Sequence, residues 1–126
     1  MVQVEVVFYQ DDDGSVPALD ALLEFAKTEP KVADKFQALI EALADRGFNL
    51  RRPMADQLRD KIYELRGKVK GINHRILYFY GGEKIAVLSH HLTKEKRIPT
   101  KEIDLAIKRR NKFLDNPQKH TFVDEE

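Results

Sequence analysis

Arg75 lies in the stretch Ile72-Asn73-His74-Arg75-Ile76-Leu77-Tyr78-Phe79-Tyr80, a guanidinium among apolar and aromatic neighbours. A charge in that setting is costly unless an acid or a ligand anion pairs with it. Its planar fork matches a carboxylate or a phosphate through two parallel hydrogen bonds. Arg75 therefore reads either as an anion-binding catalytic group or as the partner of Glu64 or another acid. Arg66 offers the same alternatives, because Ile62, Glu64 and Arg66 fall on one face of an alternating segment. Lys94, Lys96 and Arg97 form a basic cluster just before Pro99, which reads as a phosphate grip or as a solvated loop. Positive charge converging from such groups would stabilise the negative charge that builds on phosphorus in a phosphoryl-transfer transition state.

Histidine supplies a side chain with the right ordinary pKa for proton transfer. His90 and His91 are adjacent, so in a regular strand they point to opposite faces and one of them shares the face of the arginines. His91 is taken as that residue. His74, next to Arg75, points away from it. Arg75, Arg66, His91 and Lys94 make up the candidate catalytic set. Lys94, Lys96, Arg97 and Tyr78 make up the candidate RNA-binding set, Tyr78 because an exposed tyrosine can stack on a base. The competing reading of Tyr78 and Tyr80 is core filling. Adjacent histidines lack helical metal spacing, and Asp11-Asp12-Asp13 lacks the EF-hand spacing and its closing Glu, so no metal and no cofactor is expected.

These groups need elements to hold them. Val2, Val4, Val6 and Phe8 alternate as a first strand, and Asp11 to Ser15 reads as a turn. Ser15 is a natural N-cap for a helix running to about Lys27. After Pro30, the spacing of Val32, Phe36, Leu39, Ile40 and Leu43 predicts an amphipathic helix that stops at Gly47. Residues 48–58 read as a loop. Strands are predicted over Lys61 to Arg66, Ile72 to Tyr80 and Ile85 to Leu92, joined by a basic turn at 67–71 and a tight hairpin at Gly81-Gly82. Pro99 opens a third helix that ends before Pro117. The order β-α-α-β-β-β-α predicts an α+β domain over 1–117, with two N-terminal helices on one face of a mostly antiparallel sheet, a C-terminal helix, and a flexible tail at 118–126.

At 126 residues with no cysteine and a net charge of +1, the chain excludes a disulfide framework, a thiolate nucleophile and a cysteine zinc site. It fits a reducing, cytoplasmic setting, and no run is long enough to span a membrane. The charge is unevenly spread. Residues 1–58 carry 6 basic against 11 acidic side chains, and residues 59–119 carry 16 against 7. The second half is therefore the one suited to a polyanion.

The pieces Ile62-Tyr63-Glu64-Leu65-Arg66, Arg75-Ile76-Leu77-Tyr78-Phe79-Tyr80, Ile85 to His91, Lys94 with Lys96-Arg97, and Ile98-Pro99-Thr100-Lys101-Glu102-Ile103-Asp104-Leu105-Ala106 recur in that order in a known pattern. Over about residues 56–112 the chain resembles the phage-derived HigB-like branch of the RelE/ParE toxin superfamily. Thr93 stands where the family often has the first of two lysines, Ile98 replaces its Thr before the proline, and Ser89 occupies its histidine position. The resemblance implies ribosome-dependent cleavage of mRNA, or gyrase inhibition as in the ParE branch. It also implies neutralisation by a helix-turn-helix, HigA-like antitoxin. An inactive phage-derived binding module is a third reading. Metal-free RNA cleavage would use the substrate's own 2′-OH, with Arg75, Arg66 and Lys94 stabilising charge. The acidic residues Asp124, Glu125 and Glu126 would then be placed to lie across the basic face.

Overall fold

The computed structural model describes residues 3–94 and 96–124; Met1, Val2, Glu95, Glu125 and Glu126 lie outside the described residues. The elements are β1 (Glu5–Phe8), α1 (Pro17–Thr28), α2 (Pro30–Arg46), a 3-10 turn (Gly47–Asn49), β2 (Ala55–Gln57), β3 (Tyr63–Val69), β4 (Ile72–Gly82), β5 (Ile85–Thr93) and α3 (Thr100–Asp115). They form one five-stranded sheet in the order β1-β5-β4-β3-β2. β1 runs parallel to β5, and every other pair is antiparallel. The fold is α+β, as the alternation and the helical stripes imply.

The two faces of the sheet are covered by different helices. α1 buries Ala18, and α2 buries Val32, Phe36, Leu39 and Leu43, against Leu65, Ile76 and Tyr78. α3 buries Ile103, Ala106 and Phe113 against Leu77, Phe79 and Val87 on the other side. Odd-numbered residues of β4 from Arg75 to Phe79 thus face α3, and the even-numbered ones face the helical pair. This assignment decides which charged side chains can meet.

The local chemistry departs from the sequence reading at several points. α1 is capped at Val16, not Ser15; the Asp20 carboxylate accepts the Val16 N–H at 3.1 Å, while the Ser15 hydroxyl donates to Asp13. An acid in the first turn also suits the positive end of the helix dipole. The stretch 48–58 contains the 3-10 turn and β2, which pairs Ala55 with Leu65. The basic turn contracts to Lys70-Gly71, both at positive φ (51° and 80°), with Val69 paired to Ile72. That geometry suits a two-residue hairpin turn.

Gly82 pairs with Ile85, so the next turn is Glu83-Lys84 and the two glycines belong to β4. Gly81 has a packing reason. A Cβ there would lie 2.3 Å from the Phe113 ring, so only glycine lets α3 approach this closely. The segment expected to be a mobile tail folds back on the first strand. Gln10 N–H donates to His120 O, Phe122 N–H donates to Phe8 O, and the His120 ring stacks on Tyr9.

Candidate functional site

Glu64 on β3 and Arg75 on β4 meet on the α3 face of the sheet. Both are buried, 4 % and 8 % exposed, and Arg75 Nη1 donates to Glu64 Oε1 at 2.8 Å. Arg66 Nε lies 4.0 Å from the other carboxylate oxygen. One acid thus stands between two guanidiniums. Cross-strand register sets Arg66 opposite Arg75, and without Glu64 the two like charges would repel. The carboxylate fixes the Arg75 fork and uses one of its five donors. Arg75 also lines a cleft of about 490 Å³ together with Leu58, Arg59, Glu64, Arg97, Thr100 and Ile103.

The basic loop comes to the same end of the sheet. Lys94 N–H donates to Asn73 O at 3.2 Å, tying the exit of β5 to the start of β4. Lys94, Lys96 and Arg97 are exposed and line a second cleft, of about 480 Å³, with Asn73 and Thr93. Among the described residues none of the three is in an ion pair. Arg97 belongs to both clefts and joins Arg75 to the lysines. Arg66 and Arg75 share a third, smaller cleft with Lys35 and Lys68. An anion reaching this corner meets one deeply held guanidinium and a rim of solvated charges.

His91 does not share the face of Arg75. A bulge causes this: Tyr78 pairs with Leu88 but Leu77 pairs with His90, so Ser89 is the extra residue. Strict alternation would set His91 opposite Arg75. The bulge shifts the register by one and turns His91 towards α1 and α2. There its Nε2 lies 3.0 Å from His74 Nδ1, and its ring meets the edges of Phe25 and Phe36. Burial, with the neighbouring His74, pushes the His91 imidazole down to about 4; burial lowers His74 as well. Both rings are therefore neutral near pH 7, and His91 is withdrawn as a catalytic partner of Arg75.

His90 takes the α3 face instead, in a hydrogen-bonded chain that pattern reading missed. The Glu102 carboxylate only accepts, so the neutral His90 ring carries its proton on Nε2 and leaves Nδ1 as an acceptor, which orients the chain. Arg109 Nη1 donates to Ser89 Oγ at 3.4 Å, the Ser89 hydroxyl donates to His90 Nδ1 at 2.8 Å, and His90 Nε2–H donates to Glu102 at 3.0 Å. Asp11 accepts from Arg109 at 3.2 Å at the far end. Burial lowers the His90 pKa, the Arg109 charge lowers it further, and Glu102 opposes both. This chain stitches β5 to the first turn of α3, and so holds the helix start beside the cleft. The adjacent Ser89-His90 pair was visible in the sequence; its partners on α3 were not.

Tyr78 is only 1 % exposed and stacks on Tyr63 within the core, so it offers no face to a base. Burial pushes its phenol far above the usual tyrosine range. Its assignment to RNA binding is corrected to core packing. The acidic end residues Glu125 and Glu126 lie outside the described residues, and Asp124 is exposed. Among the described residues no group of three or more His, Asp or Glu side chains is arranged to hold a metal. No helix among them is long and apolar enough to cross a membrane.

A family model described as "Phage derived protein Gp49-like (DUF891)" matches residues 23–111. That span runs from α1 through most of α3 and includes Arg66, Arg75, Lys94, Lys96 and Arg97. No curated protein matches the chain.

Proposed function

The chain belongs to the Gp49-like family of phage-derived proteins, and from that premise we propose that it is the toxin of a toxin–antitoxin pair, a metal-independent endoribonuclease that cuts mRNA on the ribosome in the cytoplasm. The observation that carries this reading is the convergence of Arg75, Arg66, Arg97 and Lys94 on adjoining clefts at one end of the sheet. Glu64 holds Arg75 before any substrate arrives, so its charge needs little reorganisation when negative charge develops. In the proposed reaction the substrate's 2′-oxygen attacks the adjacent phosphorus. The 2′-hydroxyl proton passes to water, the bond to the 5′-oxygen breaks, and that oxygen takes up a proton from water, leaving a 2′,3′-cyclic phosphate and a 5′-hydroxyl. Arg75 stabilises the phosphorane-like transition state, Arg66 and Arg97 flank it, and Lys94 and Lys96 grip neighbouring phosphates. A helix-turn-helix antitoxin is the proposed partner, as in the resembling toxins.

Inducing the wild type and Arg75→Ala without a partner gene tests this. The expected result is growth arrest with cleaved translating mRNA for the wild type alone. Arrest with loss of supercoiling and intact mRNA would replace the reading with gyrase inhibition. No arrest from a folded, expressed wild-type chain would leave a binding module.

A further inference from the structure

A second aromatic–basic site lies away from these clefts, on the side of the sheet covered by α1 and α2. Phe48, in the 3-10 turn after α2, stacks on Tyr80 of β4 with ring centroids 3.9 Å apart and planes 28° from parallel. One ring face is thus occupied, yet Phe48 remains 48 % exposed. A large aromatic side chain held flat by a neighbour and open on its far side has the form of a stacking platform. Tyr80 in turn meets Tyr63 edge-on at 5.3 Å, so the platform rests on an aromatic column and cannot collapse into a pocket beneath it.

The polar surroundings point to the ligand. Phe48 and Tyr63 line a cleft of about 590 Å³ with Arg51, Arg52, Asp56 and Gln57. Arg52 is committed to Asp56 at 2.7 Å, whereas Arg51 is exposed and, among the described residues, in no ion pair. Gln57 is exposed at the end of β2 and carries both a donor and an acceptor. A flat π surface, an uncommitted guanidinium and a terminal amide together suit an unpaired base, its phosphate and its edge. Pro53 and Met54, which follow directly, line the next cleft with Arg66 and Arg75. The segment from Arg51 to Gln57 thus contributes residues to both clefts.

We propose that Phe48, Arg51 and Gln57 form a subsite for a nucleotide of single-stranded RNA, with the base stacked on the outer face of Phe48. This subsite would hold the strand some nucleotides away from the bond at Arg75. The inference rests on the RNA reading above and deepens it.

The chain has no tryptophan, which provides a direct probe. Phe48→Trp places one reporter on the platform. Titration with a short single-stranded oligoribonucleotide is expected to quench its emission to saturation. Adding Arg51→Ala to that variant should raise the half-quenching concentration roughly 10-fold or more, in line with about 1.5 kcal/mol for a charge-assisted contact. A duplex of the same sequence should quench far less, because its bases are already stacked. In the otherwise native chain, Phe48→Leu keeps apolar bulk over Tyr80 and should weaken oligonucleotide binding, measured by anisotropy, roughly 5- to 100-fold. Unmoved emission on addition of the single strand would overturn the proposal, as would native affinity in Phe48→Leu. Quenching by an acidic peptide of equal charge, matching that by RNA, would assign the pocket to a protein partner and also overturn it. Cleavage by the wild type with no signal at Phe48 would sink the subsite alone. Binding at Phe48 without any Arg75-dependent cleavage would sink the nuclease reading and leave the subsite.

Discussion

Removing Arg75 strands a buried acid, and the cost can be worked from the structure. Glu64 and Arg75 are both nearly sealed from water and share a 2.8 Å contact. Breaking a buried pair by deleting one member typically costs about 3–5 kcal/mol, because the survivor stays buried and charged. Arg66, 4.0 Å from the second carboxylate oxygen, remains in Arg75→Met as a partial substitute, which sets that variant near ~3 kcal/mol, the lower end of the range. Glu64→Leu leaves two guanidiniums facing each other across β3 and β4 and should cost at least as much. The double variant Glu64→Leu/Arg75→Met removes both charges and keeps apolar bulk, so it should recover most of the loss. Urea unfolding followed by circular dichroism measures this. With a slope of about 1–3 kcal/mol per molar, each single variant should lower the midpoint by roughly 1–3 M. A double variant whose loss equals the sum of the singles within about 0.5 kcal/mol would show that the two side chains act independently. The account of a preformed, acid-held Arg75 would then fail.

Three further expectations follow from other parts of the molecule. Lys94→Ala, Lys96→Ala and Arg97→Ala should leave thermal stability unchanged, weaken RNA or ribosome binding, and each lower the magnitude of the salt slope by about one or less; an unchanged slope would remove the phosphate-grip role. The His91 imidazole, lowered to about 4 by burial, is neutral in the fold but takes up a proton readily once unfolded. Its contribution is therefore intact above the ordinary histidine pKa of about 6.5 and is lost as pH falls from there towards 4. Discounted for its partial exposure, the loss is on the order of 1–2 kcal/mol, and His91→Phe should flatten that part of the stability–pH curve. Gly81→Ala should destabilise by about 1–3 kcal/mol through the clash with Phe113, and Phe113→Leu in the same chain should recover part of it on thermal melting.

The elements that hold the site were legible where local chemistry and packing agree. The alternation of Ile76, Tyr78 and Tyr80 against Leu77 and Phe79 marks a strand covered on both faces, and helices cover both. The stripe Val32, Phe36, Leu39, Leu43 marks the face of α2 that packs on the sheet. β2 was not legible, since three residues after Pro53 carry no period and pair only because β3 offers a free edge. The choice between His90 and His91 failed for a related reason. One extra residue at Ser89 reverses which histidine meets which face, and a bulge leaves no trace in a pattern of residue types. Tyr78 and Tyr80 looked alike as sequence, yet Tyr78 is sealed in the core against Tyr63, whereas Tyr80 is partly exposed and stacks with Phe48 of the 3-10 turn. The end of the chain read as polar and mobile because the partner of His120 is Tyr9, more than a hundred residues away.

Single-turnover cleavage on programmed ribosomes, with the new 5′ ends mapped by primer extension, tests the central claim most directly. Wild type and Glu64→Leu/Arg75→Met would be compared at matched folded concentration. The wild type should cut the translating mRNA, and the double variant should cut at least roughly 100-fold more slowly, as expected when a preorganised charge-stabilising group is removed. Equal rates from the two proteins would mean that the guanidinium at the head of β4 does not face the scissile phosphate.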